Sequence, residues 1–544
     1  MPTLYYGDNL GVMREHLKDA SVDLIYLDPP FNSKRDYNVL FKSPKGEAAE
    51  AQITAFEDTW HWDMKAAGEF EELLVQSNTD VAELMRTLQR FLGKNDMMAY
   101  LTAMAIRLLE MHRVLKDTGS LYLHCDPTAS HYLKIILDAV FGKEHYQNEI
   151  VWKRTTTHSD SKTWSRVADT IFFYTKSDKF TWNTPREEHS EEYRETKYRY
   201  DDHDGRGLYR LDNMTSPNPR PNMMYVWKGY PFPEKGWRYS RETMKELDAE
   251  GRIWYPMNSD GSFDVSKRPQ LRRYLSEQEG GVMGTIWTDI SPINSQAQER
   301  LGYPTQKPLA LLERIIQASS NEGDVVLDPF CGCGTAVDAA QKLKRDWIGI
   351  DITHLAVSLI EKRMKDRYGE GLTFDVVGTP RDLDAARDLA QRSRYQFQWW
   401  ATSLVNAQPY QAKKKGPDSG IDGVKYFHDV DGDAAKKILV SVKSGKLKAD
   451  DVRAFNHVRE REKAEIGLFI TLSKPTSGMM SDAAAAGFYT YADRSERKVP
   501  RMQILTIEEL LNGKVRAEHP DQRPDVNFKK AKRETGKRGQ EKLF

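Results

Sequence analysis

The chain has 544 residues, enough for three or four domains at roughly 150 residues each. Hydrophobic residues make up 39% and charged residues 29%, and 80 basic side chains balance 80 acidic ones, so a globular protein without a global positive field is expected. Three cysteines exclude a disulfide scaffold and indicate a reducing compartment, and neither a signal peptide nor a membrane span is recognisable.

The first 185 residues alternate short apolar runs with amphipathic stretches, which is typical of α/β domains. Strands are predicted at residues 22–27, 120–124, 149–152 and 170–175, and helices at 80–115 and 129–141. Residues 186–300 are polar and rich in aromatics, which predicts an inserted domain. The alternation resumes over 301–378, with strands at 325–327 and 347–350 and helices at 335–343 and 353–364.

The last third of the chain carries a second α/β pattern. A charged, proline-containing stretch at 379–394 predicts a linker. Residues 395–515, with apolar strands at 438–443 and 467–472, predict a further α/β domain. The tail, 516–544, becomes basic and almost free of apolar residues, which predicts disorder.

A strand, a glycine-containing turn and a helix follow one another from Asp324 to Thr335. Gly332 and Gly334 allow the backbone to approach a ligand where a Cβ atom would collide, and the helix N-terminus offers unpaired N–H groups. Asp351 ends the next strand, where a carboxylate can accept hydrogen bonds from ribose hydroxyls. The pattern predicts a nucleoside cofactor. Because no P-loop sequence occurs, ATP hydrolysis is not expected.

A polar corner, Asp28-Pro29-Pro30-Phe31, follows the first of these predicted strands. Ligands of α/β sheets bind at the carboxyl ends of the strands. The prolines fix the direction of the chain, so the Asp28 carboxylate and the Pro29 carbonyl become acceptors and Phe31 offers a face for stacking. Such a corner can hold a planar amine, although the motif alone is also explained by a strand that ends at a proline.

The two motifs together resemble the amino-group DNA methyltransferases that use S-adenosylmethionine (AdoMet). Their order, with the catalytic motif first, is similar to the β class, which includes the modification subunits of type III restriction systems. The resemblance covers most of residues 1–378, with smaller matches at Phe56–Trp60, Leu121–Asp126 and Tyr303–Pro308. It implies a Rossmann-like class I methyltransferase fold with an inserted target-recognition domain at 186–300.

The resemblance implies two sets of site residues. The catalytic set is Asp28, Pro29, Pro30 and Phe31. The cofactor set is Phe330, Gly332, Gly334 and Thr335 on the methionine side, with Asp328 just before them, Asp351 at the ribose, Asp8 at the adenine amine and Lys307 at the cofactor carboxylate. From the sequence alone, a turn residue at Asp8 and a solvated loop charge at Lys307 are equally consistent.

These residues suit methyl transfer to an exocyclic amine, whose lone pair is delocalised into the ring. Acceptors on the amine protons help the nitrogen to pyramidalise and bind the transition state more strongly than the ground state. The target base must leave the duplex to be reached. In the family, Asp at the first motif position favours adenine N6 over cytosine N4. Because no Pro-Cys pair occurs, methylation at cytosine C5 is not expected.

Two other cysteine and histidine motifs receive no chemical role. Cys331 and Cys333 have a Cys-x-Cys spacing but no neighbouring Cys/His cluster, so packing is expected and a metal site is not. His124-Cys125-Asp126 is expected to end a sheet strand without taking part in catalysis.

The insertion interleaves tyrosines and tryptophans with arginines and lysines between residues 198 and 255. Such surfaces suit phosphate contacts and the reading of base edges. The position matches the target-recognition domain of the family. An aromatic core under a charged surface is the other interpretation.

The C-terminal domain resembles the PD-(D/E)xK nuclease fold in its Mrr-like form, on the sequence Gly420-Ile-Asp422-Gly423 and the strand that leads to Lys443. In that chemistry the acids hold Mg²⁺ and the lysine orients or polarises the attacking water. Asp422, the candidate metal ligand, and Lys443 match the pattern. Ser441 stands where Glu or Gln is expected, so active cleavage and a retained DNA-binding or regulatory fold both stay open.

The sequence therefore predicts a site-specific DNA adenine-N6 methyltransferase of a restriction-modification or phage-defence setting, with double-stranded DNA as partner and a restriction-endonuclease-like domain. The alternatives are a bifunctional methyltransferase and Mg²⁺-dependent endonuclease, a non-catalytic AdoMet-sensing DNA-binding protein, and RNA methylation. A homodimer and a restriction or defence partner subunit are compatible with the resemblance. A cytoplasmic location, at the nucleoid when on DNA, and no membrane association are expected.

Overall fold

The structure of the chain is a computed structural model. It describes residues 1–30, 60–157, 163–294, 297, 299–301, 305–369, 371–410, 420–427, 436–448, 450–491 and 497–520, and the backbone of 36–42 and 48–57. The described residues form two units, one of which is Thr184–Met283; the other contains the residues before and after it.

The N-terminal part forms strands and helices in alternation. The strands are β1 (Thr3–Tyr6), β2 (Val22–Leu27), β3 (Asp36–Lys42), β4 (Ala48–Glu57), β5 (Leu115–Cys125), β6 (Tyr146–Lys153) and β7 (Ala168–Thr175). The helices are α1 (Asn9–His16), α2 (Met64–Leu74), α3 (Thr79–Leu92), α4 (Asp96–Val114) and α5 (Ser130–Phe141). The single helical stretch expected at 80–115 is divided because Gly93 ends α3 with φ +75° and the Asn95 side chain caps α4.

The second unit, 184–283, is built from short elements. They are β8 (Arg186–Glu187), α6 (Glu191–Lys197), β9 (Tyr209–Asn213), α7 (Arg241–Ala249), β10 (Ile253–Trp254), β11 (Gln270–Tyr274) and β12 (Gly281–Val282). β10, β11 and β9 pair antiparallel. Trp227, Tyr230 and Trp237 are buried in its core, so part of the aromatic pattern serves packing rather than an exposed surface.

After the insertion the chain returns to the first sheet. The elements are β13 (Ile286–Trp287), α8 (Leu309–Ser319), β14 (Val325–Asp328), α9 (Thr335–Lys342), β15 (Asp346–Asp351), α10 (His354–Tyr368) and β16 (Asp375–Val377). Among the described residues this sheet has nine strands in the order β13-β6-β7-β5-β2-β14-β15-β1-β16. From β5 to β16 all pairs are parallel, while β7 is antiparallel to both neighbours.

Both faces of the nine-stranded sheet are covered by helices, as parallel sheets require. Alternate residues of β2 serve the two faces: Ile25 and Leu27 pack with α1–α5, whereas Leu24 and Tyr26 pack with α8–α10. β2 and β14, from opposite ends of the methyltransferase-like sequence, lie side by side with Leu24 beside Val326. The carboxyl ends of β1, β2, β14 and β15 therefore meet at one edge.

The C-terminal part forms a second sheet. Its elements are α11 (Leu383–Arg392), α12 (Arg394–Ser403), β17 (Gln408–Pro409), β18 (Gly423–Phe427), β19 (Lys436–Lys443), α13 (Asp450–Arg461), β20 (Ile466–Thr471), α14 (Ser477–Ala485), β21 (Phe488–Thr490), β22 (Lys498–Pro500), β23 (Met502–Thr506) and α15 (Ile507–Leu511). The strand order is β17-β18-β19-β20-β23, with β19, β20 and β23 parallel.

The segment expected to be a linker, 379–394, contains α11. Asp382 caps this helix, and Ala386 and Leu389 are buried in the core of the C-terminal part. The spacing of these two apolar residues places them on one face of a helix. Because charged residues surround them, this helical pattern is hard to recognise in the sequence. The end of the expected basic tail, from 521, lies outside the described residues. No helix in the described part of the chain is long and apolar enough to cross a membrane.

Candidate active site

A cavity of about 380 Å³ opens at the edge where β1, β2, β14 and β15 end. This volume lies within the range of about 300–1,000 Å³ that is usual for small-molecule sites. The cavity is lined by most of the residues that the sequence pointed to: Asp8, Asp28, Pro29, Pro30, Lys307, Asp328, Phe330, Gly332, Thr335 and Asp351. Phe31 and Tyr303 lie outside the described residues.

The glycine turn between β14 and α9 explains why glycine is needed at two positions. Gly332 and Gly334 have φ of +49° and +75°, which L-residues with a Cβ atom rarely adopt. A Cβ atom on Gly334 would lie 2.7 Å from Ile360 Cγ1 on α10. The Gly334 N–H donates to the Cys331 carbonyl (2.7 Å), and this closes the turn at the N-terminus of α9. Gly332 lines the cavity and brings its backbone there without a side chain, whereas Gly334 does not line the cavity and allows the turn to pack against α10.

Asp351, at the end of β15, organises the glycine turn. Its Oδ2 accepts the Gly332 N–H (3.0 Å), and its Oδ1 accepts the N–H and the hydroxyl of Thr353 (both 2.8 Å). Burial raises the pKa of Asp351 to about 6, although these hydrogen bonds favour the carboxylate. The carboxylate thus lines the cavity in a dry environment, held by the turn that it supports.

Asp328, the last residue of β14, is 5% exposed and accepts the Phe330 N–H (3.1 Å). Burial raises the pKa of Asp328 well above its usual range, against the effect of this bond. The side chain fixes the first bend of the turn and presents a carboxyl group to the same cavity.

Asp8 follows β1, whose neighbour in the sheet is β15, and it caps α1 and is held by two cations. Its oxygens accept from Arg107 (2.8 Å) and Lys65 (2.8 Å), and Oδ1 also accepts the Leu10 N–H. Burial opposes ionisation, but these cations and the backbone bond prevail and lower the pKa of Asp8 to about 2. Next to it, the Asn9 amide donates to the Pro329 carbonyl (2.8 Å) and so ties α1 to the glycine turn.

Sequence reasoning missed Asn9, Lys65 and Arg107 as cavity residues. Arg107 is 5% exposed, and its guanidinium also donates to Asn9 Oδ1 (2.7 Å). An arginine in the middle of the apolar stretch of α4 is the signal that could have identified it, because buried arginines are rare unless they are paired.

Asp28, directly after β2, forms a close ion pair through Oδ2 with Lys307. Its other oxygen, Oδ1, is buried and has no hydrogen-bond partner among the described residues. Both side chains are mostly buried, at 15% and 12% exposure. Lys307, which is expected at the cofactor carboxylate, thus forms an ion pair with Asp28. Asp28 also presents one buried acceptor atom in the cavity wall.

Trp60 and Ile352 also line the cavity. The Trp60 ring packs edge-on against Tyr100, and its Nε1 is a buried donor for which the described residues provide no acceptor. Ile352 is 58% exposed. Large apolar and aromatic surfaces beside a few polar groups are what a bound nucleoside requires.

A buried ion pair behind the glycine turn holds α9 against α10. The side chains of Arg363 and Asp338 are 3% and 0% exposed, and Arg363 Nη2 lies 2.7 Å from Asp338 Oδ2. Arg367 and Tyr368 also contact Asp338. Arg363 donates in addition to the Cys333 carbonyl (3.0 Å), the residue between the two glycines. The shape of the turn is thus supported by α10 as well as by Asp351.

The cysteines of the turn are packing residues. Cys331 and Cys333 are buried, and burial raises the pKa of both thiols. The described ranges contain no group of three or more His, Cys, Asp or Glu side chains that could hold a metal ion.

In the C-terminal sheet, Asp422 precedes β18 and lies beside β19. Its Oδ2 accepts the Val442 N–H (2.7 Å) and contacts the Ser441 hydroxyl (3.4 Å). Ser441 is 2% exposed, and Lys443, at the end of β19, is half-buried. The three residues of the expected nuclease motif are thus neighbours, but one acidic ligand is replaced by a hydroxyl.

Comparisons with known proteins give matches for both parts of the chain. Residues 22–362 match the family model described as DNA methylase, and residues 389–506 match a model described as restriction endonuclease. The type II methyltransferase M.EcaI of Enterobacter cloacae is 32% identical over 304 residues, which are 55% of this chain and 65% of that protein. The Mod subunit of the type III enzyme StyLTI of Salmonella typhimurium is 26% identical over 355 residues, 62% of this chain and 50% of that protein.

Among solved structures, the M1.HpyAVI–SAM complex is similar at 14% identity and a TM-score of 0.30, covering 67% of this chain and 100% of that one. The chain spans between half and about two thirds of the length of the two curated relatives. The methyltransferase fold and the restriction-endonuclease-like domain expected from the motifs are confirmed. Because the DNA methylase model covers more than half of the chain, this protein belongs to the DNA methylase family.

Proposed function

We propose that this chain is a site-specific DNA adenine-N6 methyltransferase that uses AdoMet. The observation that carries the proposal is Asp28 Oδ1, a buried acceptor without a partner in the described part of the chain, in the same cavity as the glycine turn. A buried acceptor left unpaired costs free energy, so a ligand N–H that pairs with it binds favourably there.

The described residues fit AdoMet. The side-chain-free backbone at Gly332 can approach the methionine part, and Asp351 can accept hydrogen bonds from the ribose. The Trp60 Nε1–H, which has no acceptor among the described residues, can donate to an acceptor of the adenine or of the carboxylate. When bound, AdoMet supplies an electrophilic methyl group on its sulfonium.

In the reaction, Asp28 and Pro29 act on the target amine. Asp28 Oδ1 accepts one amine N–H, and the Pro29 carbonyl accepts the other, which favours the pyramidal nitrogen that attacks the methyl carbon. Lys307 keeps Oδ2 occupied, so that Oδ1 is the atom that faces the amine and receives the proton that the methylated nitrogen loses. As the nitrogen becomes cationic, its attraction to Asp28 increases, and the transition state gains more than the ground state.

The choice of adenine rests on Asp28 at the first motif position, and the choice of DNA rests on the family and on the names of the relatives. A base in a stacked duplex cannot reach a cavity of this kind, so we propose that the target nucleotide is flipped out, with the unit 184–283 reading the surrounding sequence. A restriction-modification or defence role in the cytoplasm follows from the same relatives. A homodimer or a partner restriction subunit belongs to this proposal as well.

DNA cleavage is not part of the proposal. The described residues around Asp422 do not fit a Mg²⁺ site, because Ser441 replaces an acid and Asp422 already accepts a backbone N–H. We derive no hydrolytic step and propose that the Mrr-like domain serves as a DNA-binding or regulatory module.

The test is transfer of labelled methyl groups from AdoMet to unmethylated duplex DNA, with and without Mg²⁺, followed by nucleoside chromatography and a gel. Label in N6-methyl-2′-deoxyadenosine is expected, with intact DNA on the gel. Label in N4-methylcytosine would overturn the base assignment, and label in RNA alone would overturn the substrate assignment. Binding of AdoMet without any transfer would favour a non-catalytic sensor, and Mg²⁺-dependent fragments would show that the chain also cuts.

A further inference from the structure

A chain of buried polar groups runs from the wall of the cavity across three neighbouring strands. The hydroxyl of Tyr26 on β2 lies 2.9 Å from Nδ1 of His124 on β5, and His124 Nε2 lies 3.2 Å from Oδ2 of Asp169 on β7. The three residues are 2%, 0% and 2% exposed. Beyond this chain, the partly exposed Arg154 forms an ion pair with Asp169, its Nη1 lying 3.3 Å from Asp169 Oδ1. None of these residues has a part in the mechanism above.

The charge of Asp169 fixes the direction of the hydrogen bonds. Burial opposes ionisation of Asp169, but the bond to His124 and the charge of Arg154 lower its pKa below the usual value. A carboxylate only accepts hydrogen bonds, so His124 Nε2 carries a proton. In the tautomer with its single ring proton on Nε2, Nδ1 carries no proton and accepts the hydroxyl proton of Tyr26. Because its proton is used in this bond, the Tyr26 hydroxyl oxygen can only accept hydrogen bonds from other groups.

The position of Tyr26 in the cavity wall means that a bound ligand can meet this acceptor. Tyr26 lines the cavity. It precedes Asp28 by two residues, and residues at this spacing point to the same face of a sheet. Asp328 is one residue beyond the Leu327–Ile25 pair and so is the neighbour of Tyr26 on β14. A hydroxyl acceptor flanked by two carboxyl groups is complementary to an amine or ammonium group.

We propose that Tyr26 is a further ligand-binding residue of the active site, whose hydroxyl oxygen accepts a hydrogen bond from a ligand N–H. His124 and Asp169 are positioning residues that keep the hydroxyl proton turned away from the cavity. The N–H belongs either to the target amine or to the α-ammonium of AdoMet, which share this chemistry. The identity of the two ligands rests on the proposed function, whereas the acceptor state of Tyr26 does not.

A tyrosine in the same sheet provides a matched control. Tyr122 on β5 is 2% exposed, its hydroxyl lies 2.7 Å from Ser319 Oγ, and it does not line the cavity. Tyr26→Phe and Tyr122→Phe therefore remove the same group from equally buried environments. An effect of Tyr26→Phe that Tyr122→Phe lacks is due to the ligand rather than to the stability of the sheet.

The first measurement is binding by calorimetry together with steady-state methylation. If the α-ammonium is the donor, Tyr26→Phe weakens AdoMet binding about tenfold, the equivalent of one hydrogen bond, and leaves 5′-methylthioadenosine, which lacks the amino acid, unchanged. If the target amine is the donor, AdoMet binding is unchanged and kcat falls about tenfold. Tyr122→Phe leaves both values unchanged. Equal effects of the two variants, or none from Tyr26→Phe, would overturn the proposal.

The second measurement tests the direction of the chain without any need for activity. The ¹⁵N shifts of the His124 ring in the full-length protein should be those of a neutral imidazole protonated at Nε2; a proton on Nδ1 would overturn the assignment. His124→Phe should add nothing to Tyr26→Phe in the double variant, because His124 acts through Tyr26. Additive losses would show that His124 is merely structural. A wild-type protein that does not methylate adenine contradicts the proposed function alone.

Discussion

Two mixed sheets in this chain carry an aspartate beside an apolar strand, but the two carboxylates have different surroundings. Asp28 lies in the wall of a cavity, with one oxygen on Lys307 and the other without a partner in the described residues. Asp422 accepts the Val442 N–H and contacts Ser441, and no cluster of metal ligands was found among the residues described. One carboxylate is available to a ligand, and the other already serves the backbone.

The difference shows that chemistry depends on what surrounds a motif and not on the sheet that carries it. At the methyltransferase edge, four strands each contribute polar groups to one cavity. At the C-terminal edge, the motif Asp422-Ser441-Lys443 is brought together in the correct order, yet the hydroxyl of Ser441 cannot replace the charge of an acid. Variants at the two edges should therefore have unequal effects.

The largest effect is expected from Asp28→Ala. Loss of the acceptor at the amine and of the partner of Lys307 should lower kcat on the order of 10³-fold, as for other removed transition-state hydrogen bonds. AdoMet binding, measured by calorimetry, should be retained. Asp28→Asn is the matched control, because it keeps an acceptor oxygen and should lose less. A fully active Asp28→Ala enzyme would remove Asp28 from the mechanism.

A second effect is expected from Gly334→Ala, which tests the shape of the cofactor turn. The new Cβ atom would lie 2.7 Å from Ile360 Cγ1 at a φ of +75°. The free energy of unfolding should fall by about 1–3 kcal/mol, and AdoMet binding should weaken with it. Gly11→Ala, inside α1 with nothing within 4 Å, should leave stability equal or raise it by up to about 1 kcal/mol. Denaturant unfolding compares the two, and an equal loss in both would contradict the steric explanation.

A smaller effect, dependent on pH, is expected at Asp351, whose pKa is about 6. Ribose hydroxyls donate to the carboxylate, so AdoMet binds the ionised form better, and affinity should fall as pH drops below 6, by up to about tenfold per unit. Stability moves the other way: because the folded pKa is above the unfolded value, the contribution of Asp351 is full below about pH 4 and is lost as pH rises through 6. Titration calorimetry from pH 5 to 8 measures the binding profile. Asp351→Asn should flatten it; an unchanged profile would assign the dependence to another group.

The smallest effect on methylation is expected from Lys443→Ala and Asp422→Asn. Neither should change the rate of methyl transfer, and neither should alter the pattern of DNA fragments, because no cleavage is expected from the parent chain. Asp422→Asn should cost about 1 kcal/mol of stability, since a charged acceptor of the Val442 N–H becomes neutral. A change in methylation by either variant would show that the two sheets are coupled.

Much of the fold and of the cavity could be predicted from the sequence, because the decisive residues are consecutive. The strand at Val22–Leu27 is predicted with its observed bounds, and both motifs contribute residues to the wall of the cavity. Apolar runs, prolines and glycines determine the structure of their own segment, so the strands and turns that they form can be predicted from that segment alone.

Other parts of the site could not be predicted, because they depend on contacts between distant segments. Arg107 meets Asp8 only after α4 packs against α1, and His124 meets Tyr26 only through the pairing of β2 with β5. No catalytic role is predicted for His124 from the sequence, and its contacts with Tyr26 and Asp169 are visible only in the folded sheet. The helix α11 is not predicted, because its two core residues are surrounded by charged residues in the sequence.

The ion pair of Asp28 with Lys307 joins residues that are 279 positions apart. Closing so long a loop is slow compared with forming local helices, so the site belongs to the late steps of folding. During synthesis, a nascent chain that already contains Asp28 has neither the glycine turn nor the β14 strand beside which β2 lies. A chain truncated before residue 307 therefore carries only one of the two motifs and no assembled cavity, and the proposed activity requires that both halves have been made.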